Sequence, residues 1–220
     1  MSSPAPRPRR ARSSDDKAAR RGDILDAARR CLDAVELDAF TMDAVAGELG
    51  LAKGTLYRYV PTREALLLAL TTDEYERWFD RVDVALPAST DVARTLVDAI
   101  VTMPRFVRLA SVAGSVLERN VPFDTAHEFK AFVLERSART AALLADRAVI
   151  EPAAAVRVLV HLQALTNGLY HHTHPSPVVG EVLLDPMFEA FRVDFAAELL
   201  HGTRALMAAA GHDHTKRGPS

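Results

Sequence analysis

The chain of 220 residues has a single cysteine, few aromatic residues and no long apolar run. With only Cys31, no disulfide can form within the chain, which fits a reducing compartment. No apolar stretch approaches the roughly 18 residues of a membrane span, and the first residues lack the apolar segment of a secretion signal. We therefore expect a soluble, cytoplasmic protein. Cys31 lies on an apolar stripe at helical spacing and is predicted to be a buried small hydrophobe.

The common motifs of catalysis are also missing. The sequence contains no Walker loop, dinucleotide glycine motif, Gly-x-Ser-x-Gly nucleophile or Cys-x-x-Cys pair, so we expect neither enzyme activity nor a cofactor. The one candidate metal site is the run His171-His172-Thr173-His174. Neighbouring residues on a helix point about 100° apart, so His171 and His172 cannot easily share an ion. The run favours a polar helix end or one histidine in a ligand cavity; a helical-bundle metalloprotein is the open alternative.

The composition indicates an all-α fold with an aliphatic, alanine-rich core. Aromatic residues make up 6% of the chain and apolar residues 49%, and no strand-like alternation stands out. Caps, prolines and apolar spacing predict about nine helices. Their expected ranges are about 18–36, 42–49, 53–59, 63–86, 90–103, 104–119, 124–146, 152–173 and 186–210, with a break at 174–177.

The segment from Thr41 to Leu67 carries the most specific pattern. Thr41 is a suitable N-cap, and an apolar stripe follows it at helical spacing. Gly50 stands where a first short helix must end, because glycine tolerates the left-handed conformation of many helix C-termini. In the second short helix Leu56 faces inward. The polar side chains are left to face outward: Lys53, Thr55, Tyr57 and Arg58. Such a pair is typical of a helix-turn-helix, which lays its second helix in the major groove of DNA; two ordinary core helices are the alternative.

The same segment resembles the DNA-binding domain of TetR/AcrR-type transcriptional regulators over about residues 20–70. The matching residues are Thr41, Val45-Ala46, Gly50, Lys53-Gly54-Thr55-Leu56-Tyr57 and Thr62-Arg63-Glu64. Three residues depart from the family pattern: Ala52 replaces a serine cap, Val60 replaces a core phenylalanine, and Arg63 replaces a lysine that meets a phosphate. Arginine can fork onto a phosphate, so Arg63 keeps that expected role.

The predicted DNA contacts lie on this motif and on a basic N-terminal arm. Residues 1–21 hold seven basic and two acidic side chains, whereas residues 71–220 hold 15 basic and 19 acidic ones. This asymmetry suits a protein that meets DNA at one end only; a disordered solubilising leader is the alternative. The predicted contacts are Arg9, Arg10, Arg12, Thr41, Ala52, Lys53, Gly54, Thr55, Tyr57, Arg58, Tyr59, Thr62 and Arg63.

The last two predicted helices carry wide apolar faces. The helix over 152–173 is apolar on two sides, which indicates packing on two layers, either its own domain and a partner subunit or one large monomer core. In the resembled family these helices form a four-helix dimer interface. The candidates for it are Val160, Phe188, Phe191, Phe195 and Leu199.

The resemblance also implies an effector cavity among helices four to eight. Aliphatic and aromatic walls with a few polar groups suit a small, largely apolar ligand. The candidate lining residues are Phe106, Leu109, Phe129, Phe132, Asn167, Tyr170 and His171. The alternative is that the last three satisfy one another at a helix end.

Together these patterns predict a two-domain, all-α regulator. Residues 1–17 form a basic disordered arm, 18–67 a three-helix helix-turn-helix domain, 68–211 a helical bundle for effector binding and dimerisation, and 212–220 a disordered tail. The expected function is that of a homodimeric repressor, which a small effector releases from a palindromic operator in double-stranded DNA. A DNA-bending factor that ignores small molecules is the other open alternative.

Overall fold

The computed structural model describes residues 9–114 and 118–216, with side chains over 19–114 and 119–211. Within these residues the chain is helical and has no β-strand, which confirms the predicted all-α class. The chain divides into two compact units, unit 1 (Met1–Leu70) and unit 2 (Thr71–Ser220). The boundary between the units falls inside the fourth helix.

The helices of the described residues are long in unit 2 and short around the predicted turn of unit 1. They are α1 (Arg9–Ala34), α2 (Met42–Glu48), α3 (Lys53–Tyr59), α4 (Arg63–Ala85), α5 (Val92–Val101), α6 (Pro104–Val112), α7 (Phe123–Ala148), α8 (Pro152–Thr173), α9 (Pro177–Val182) and α10 (Phe195–Lys216). Short 3₁₀ segments lie at Leu37–Ala39, Leu86–Ala88, Glu118–Asn120 and Pro186–Phe191.

Helices α2, α3, α4, α6 and α8 begin at the residues predicted from the sequence, and α3 and α8 also end as predicted, whereas several other ends differ. The backbone of α1 begins at Arg9 rather than near residue 18, because the arginines, alanines and lysine of this segment favour a helix. Residues 9–17 of the predicted disordered arm are therefore helical, and residues 1–8 lie outside the described part. Likewise α10 continues to Lys216, and α6 ends at Val112 rather than near 119.

The single helix predicted over 186–210 is divided. Asp185 accepts from the amide of Met187 (2.8 Å) and starts only a 3₁₀ segment, in which Phe188 leaves helical geometry at φ −100° and ψ 15°. Asp194 then accepts from the amide of Ala197 (2.7 Å) just before α10 begins. The later of the two capping aspartates thus starts the long helix.

Unit 1 is built around apolar stripes of α1, α2 and α4. Their fully buried side chains include Ile24, Leu32, Val45 and Leu66, with Leu56 of α3. Between α2 and α3, Gly50 takes the left-handed conformation (φ 62°), as predicted, and the amide of Leu51 donates to the carbonyl of Ala46 (2.9 Å). The turn therefore satisfies the last carbonyls of α2 and redirects the chain into α3.

Arg63 fastens the first turn of α4 to the segment before α2. Its Nε donates to the carbonyl of Phe40 (2.9 Å), one Nη donates to the carbonyl of Leu37, and the other lies 3.3 Å from Glu64. Thr62 caps the same helix by accepting from the amide of Ala65 (3.0 Å). The guanidinium is thus committed to bonds within unit 1.

Unit 2 has α8 at its centre. This helix packs against α6, α7 and α10, and α10 also packs against α5. At the α8–α10 crossing a Cβ on Gly202 would collide with the side chain of Leu165, so the absence of a side chain allows the close approach. Leu199 of α10 is completely buried there.

Ionic contacts hold α4 in unit 2 on two sides. The nearly buried carboxylate of Asp83 accepts from Thr140 (2.5 Å) and lies 3.4 Å from Arg136 of α7. On α6, Arg105 donates to the buried Glu74 (2.8 Å). Charges buried this far need such partners, so these pairs fix the position of α4 against α6 and α7.

Within the part of the chain that the structure describes, no single helix combines the length and the apolar content of a membrane span. Only α7 and α8 taken as a pair reach that composition, and they are bent by 114° at their junction.

The contacts of Arg63 predict a stability defect on its removal. Arg63→Met keeps an unbranched stem but removes the guanidinium and all its donors, so two backbone carbonyls lose a charged partner. We expect unit 1 to lose about 1–3 kcal/mol of stability, measured by urea unfolding with hydrogen exchange at the amides of residues 37–49. Arg58→Met, the same change at an exposed position of α3, should cost less than about 0.5 kcal/mol. Equal exchange in both variants would contradict the assignment.

Candidate functional site

One face of α3 is polar and open to solvent. Leu56 is completely buried beneath it and holds the helix on unit 1. The exposed residues are Lys53, Gly54, Tyr57, Arg58 and Tyr59, together with Ala52 just before the helix, while Thr55 is half-buried. A Cβ at Gly54 would meet nothing within 4 Å, so the backbone of α3 is open to close approach at that point. Two phenols, a hydroxyl, a lysine and an arginine thus line a surface that can donate to phosphates and base edges.

Lys53 is the cation at the start of this face, and it is ion-paired. Its Nζ lies 2.6 Å from the carboxylate of Asp43 on α2, and both side chains are largely exposed. The hydrogen bond to Asp43 raises the pKa of Lys53, so the amine stays charged at neutral pH. A pair this exposed is weak and can exchange its carboxylate for a phosphate.

The other residues predicted to contact DNA differ in the hydrogen bonds that they already make within the protein. The hydroxyl of Thr41 accepts from the amide of Ala44 (3.2 Å), and Thr62 caps α4 in the same way, yet each hydroxyl can still donate its own proton. Arg63 was predicted to meet a phosphate, but its guanidinium is bonded to Phe40, Leu37 and Glu64, so we assign it to the scaffold. The side chains of Arg9, Arg10 and Arg12 lie outside the described ones.

The sequence predicted that Cys31 is buried, but in the structure it is only half-buried. It borders a hollow of about 310 Å³ in unit 1, beside Phe40, Thr41 and Glu48. Burial, followed by the charge of Glu48, raises the pKa of the thiol. Cys31 therefore stays protonated at neutral pH and is a poor nucleophile.

Unit 2 contains a small cavity lined by residues of α4, α5, α6, α7 and α8. Its volume is about 30 Å³, room for about one or two water molecules. The lining residues are Tyr75, Trp78, Phe79, Ile100, Phe106, Ala110, Ser137, Leu159, Leu162, Gln163, Thr166 and Asn167. None of these side chains is charged. Four aromatic rings meet at its wall: the Tyr75 and Phe106 centroids are 5.0 Å apart, and those of Trp78 and Phe79 are also 5.0 Å apart.

Two of the seven predicted cavity residues, Phe106 and Asn167, line this cavity. Leu109 and Phe129 are buried in the core instead, because their helices turn those positions toward neighbouring side chains. The remaining predicted residues, Phe132, Tyr170 and His171, are absent from the lining. The Tyr170 ring stacks on His174 at 4.2 Å, and Nε2 of His171 lies 3.1 Å from the carbonyl of Ser111.

The sequence analysis missed the aromatic wall contributed by α4. Tyr75, Trp78 and Phe79 stand at i, i+3 and i+4 of one helix, so they share a face. That spacing was readable in the sequence, but it is also typical of an ordinary core face. The helices packed opposite this face turn part of it into a cavity.

The histidine run ends α8 and shows no ligand geometry. Nε2 of His172 lies 3.0 Å from the carbonyl of Phe191, and Nδ1 of His174 lies 3.0 Å from the carbonyl of Tyr170. Over the described residues, no group of three or more His, Cys, Asp or Glu side chains could hold a metal ion. The rings are engaged with backbone carbonyls at the end of the helix.

The predicted interface residues divide into exposed and buried. Val160 and Phe191 are 59% and 56% exposed, and Phe188 and Phe195 are half-buried. Leu199, by contrast, is buried within unit 2 and cannot reach a partner; that assignment was wrong, because α10 turns this residue inward. Further large apolar side chains that the sequence analysis did not select are exposed on α9 and the following segment: Val178, Val182, Leu184 and Met187.

Comparison with known proteins agrees with this arrangement. Residues 24–70 match the family model of bacterial regulatory proteins of the tetR family, and residues 72–209 match that of the tetracyclin repressor-like C-terminal domain. The chain is similar to HTH-type transcriptional repressor Rv1474c of Mycobacterium tuberculosis, with 30% identity over 138 residues, which cover 61% of this chain and 67% of the relative.

Two solved structures share the fold at low sequence identity. The fatty acid degradation regulator FadR from Bacillus halodurans aligns with a TM-score of 0.54 and 16% identity, covering 84% of this chain and 97% of that one. A TetR variant from Acinetobacter baumannii in complex with minocycline aligns with a TM-score of 0.53 and 19% identity, covering 88% and 94%. The two matched models together span most of the chain, which therefore belongs to the TetR family of bacterial transcriptional regulators.

Proposed function

We propose that the protein is a homodimeric repressor that places two copies of α3 in successive major grooves of a palindromic operator. The observation that carries this proposal is the exposed polar face of α3 above the buried Leu56. A relative named as a transcriptional repressor supports the direction of control. Because the spacing of two recognition helices must match the pitch of DNA, the symmetry of the dimer is mirrored in the operator.

The face of α3 divides between base reading and backbone contact. Lys53 leaves Asp43 for a guanine edge or a phosphate, and Tyr57 donates its hydroxyl to a nearby oxygen. Thr41 and Thr62 donate to phosphates while they continue to cap their helices. Arg63 holds the scaffold of unit 1 in place and makes no direct contact with DNA. Arg9, Arg10 and Arg12 add affinity that is independent of sequence.

We assign control of DNA binding to the aromatic cavity of unit 2. An effector can shift the protein toward a state that releases DNA only by binding that state more tightly. The cavity is lined by aromatic and aliphatic groups with a few polar ones, which suits a small, largely apolar molecule. The aromatic residues that α4 contributes to the cavity lie on the same helix as Arg63, which is bonded within unit 1.

A second candidate function is DNA binding that ignores small molecules. The observation that favours it is the cavity volume of about 30 Å³, too small for an organic effector without movement of the walls. Operator affinity that stays constant with every ligand shown to bind unit 2 would support this reading.

Substitutions on α3 test the DNA assignment. Lys53→Ala and Tyr57→Ala should each weaken operator binding by on the order of tenfold, because each removes a donor to a base edge or phosphate. Binding is measured by fluorescence anisotropy with a labelled palindrome selected from a random pool. Asp43→Asn should act in the opposite direction and tighten binding, since it removes the carboxylate that competes for Lys53.

The matched control is Lys130→Ala on α7, the same change in unit 2, which should leave operator affinity unchanged. Urea unfolding of each variant separates a binding defect from a folding defect. The assignment fails if the double variant of Lys53 and Tyr57 binds the operator as tightly as the parent.

We assign the dimer contact to an apolar patch formed by exposed residues of α8, of α9 and of the segment that follows α9 up to Phe191. Its members are Val156, Val160, Val178, Val182, Leu184, Met187 and Phe191. Large apolar side chains exposed on successive elements favour a surface that a partner covers, and a stable interface usually buries more than about 1,200 Å² in total.

A charge placed on this patch should separate the subunits. Val160→Glu combined with Phe191→Glu should give folded monomers, because both side chains are exposed within one subunit and a buried interfacial carboxylate would lack a partner. Light scattering after size-exclusion chromatography gives the mass. Val84→Glu, at a valine of α4 that is 81% exposed, should remain dimeric. A dimeric double variant, or a monomeric parent at micromolar concentration, would refute the interface.

A further inference from the structure

Two residues that line the aromatic cavity of unit 2 each carry a buried polar atom with no protein partner. These atoms are Nε1 of Trp78 on α4 and Oδ1 of Asn167 on α8. Trp78 is only 5% exposed. Buried polar groups in proteins are nearly always hydrogen-bonded, so two such atoms at one cavity are unusual. The indole N–H can only donate and the amide oxygen can only accept, so the pair calls for one acceptor and one donor.

Other polar side chains of the wall, those of Tyr75, Gln163 and Thr166, already have hydrogen-bond partners within the protein. The amide of Gln163 donates to the phenol oxygen of Tyr75, and the hydroxyl of Thr166 donates to the carbonyl of Leu162 (2.8 Å). Trp78 and Asn167 therefore stand apart from these neighbours as groups with unused hydrogen-bonding capacity.

The charge and shape of the cavity lining further restrict the class of ligand that can bind. None of the lining side chains is ionised, so a charged ligand would lose its hydration with no counter-charge in return. The rings of Trp78 and Phe106 are parallel to within 3°, with centroids 5.8 Å apart. Flat rings stack well on such surfaces. Because the cavity is small, a ligand can enter only when these two rings separate. A thin molecule requires the smallest separation and therefore fits best.

From these observations we infer that the effector is a small, neutral, planar heteroaromatic molecule that accepts a hydrogen bond from Trp78 Nε1 and donates one to Asn167 Oδ1. This inference rests on the proposed function, in which the cavity is the effector site. It assigns Trp78 and Asn167 as the residues that select the ligand.

Two-ring probes of nearly equal size test the inference on the full-length protein. Naphthalene offers no hydrogen bond, quinoline offers an acceptor, 2-quinolinone offers an acceptor and a donor, and 2-naphthoate carries a charge. Binding is followed by the emission of Trp78, the only tryptophan in the chain, and by the shift in Tm. We expect affinity to rise from naphthalene to quinoline to 2-quinolinone, by about threefold to tenfold for each hydrogen bond, and 2-naphthoate to bind most weakly.

Two variants test which residue accounts for each gain in affinity along the probe series. Asn167→Leu should remove the advantage of 2-quinolinone over quinoline and leave the ratio of quinoline to naphthalene unchanged. Trp78→Phe, followed by Tm, should remove the advantage of quinoline over naphthalene. Asn120→Leu, the same change at the chain's other asparagine, which is exposed, should alter none of these ratios.

The Tm of the ligand-free variants separates ligand selection from a structural role. Asn167→Leu should leave Tm unchanged or raise it, because Oδ1 has no protein partner to lose. A structural hydrogen bond, once lost, would lower Tm by about 2–4 °C or more and weaken all probes alike.

The outcomes distinguish this inference from the proposed function. The inference is overturned if naphthalene binds as tightly as 2-quinolinone, if 2-naphthoate binds best, or if no probe binds up to its solubility limit. Operator binding is measured separately without probes. If the protein fails to bind an operator but the probes bind in the expected order, the proposed function is wrong and the inference about the ligand is supported. If the protein binds an operator but the probes do not bind in the expected order, only the inference is contradicted.

Discussion

The packing of a few aromatic rings is the interaction on which the core of unit 2 depends. Aromatic residues are scarce in this chain, yet Tyr75, Trp78 and Phe79 of α4 meet Phe106 of α6 and Phe129 of α7 in one continuous set of edge and stacked contacts. The surrounding core is mostly leucine, valine and alanine. Four of these five rings, those of Tyr75, Trp78, Phe79 and Phe106, line the cavity of unit 2.

Polar groups divide between those bonded within the scaffold and those whose hydrogen-bonding capacity is left open or only weakly used. In unit 1, Arg63 is bonded to the carbonyl groups before α2, whereas Lys53 has only an exposed ion pair with Asp43. In unit 2, Asp83 and Glu74 are buried with arginine partners, whereas Trp78 and Asn167 border the cavity without partners.

Some assignments made from the sequence changed once the packing was known, and some cavity residues were missed, each for a physical reason. Arg63 was placed at a phosphate because arginine suits phosphate, but the carbonyl groups of Leu37 and Phe40 lie within its reach. Leu199 was placed at the subunit interface because it lies on an apolar stripe, but the rotation of α10 buries it in its own unit. Tyr75, Trp78 and Phe79 were not selected for the cavity, since their spacing is equally typical of a core helix.

The sequence by itself determined the all-α class, the left-handed turn at Gly50, the capping of α2 by Thr41 and the family motif from Thr41 to Glu64. These features depend on helical periodicity and on hydrogen bonds between residues a few positions apart, which a sequence displays directly. Only the tertiary structure decided which side chains border the cavity, where Arg63 donates and which face of α10 is covered. Those outcomes depend on the rotation and crossing of helices distant in sequence, and a shift of one position on a helix turns a side chain by about 100°.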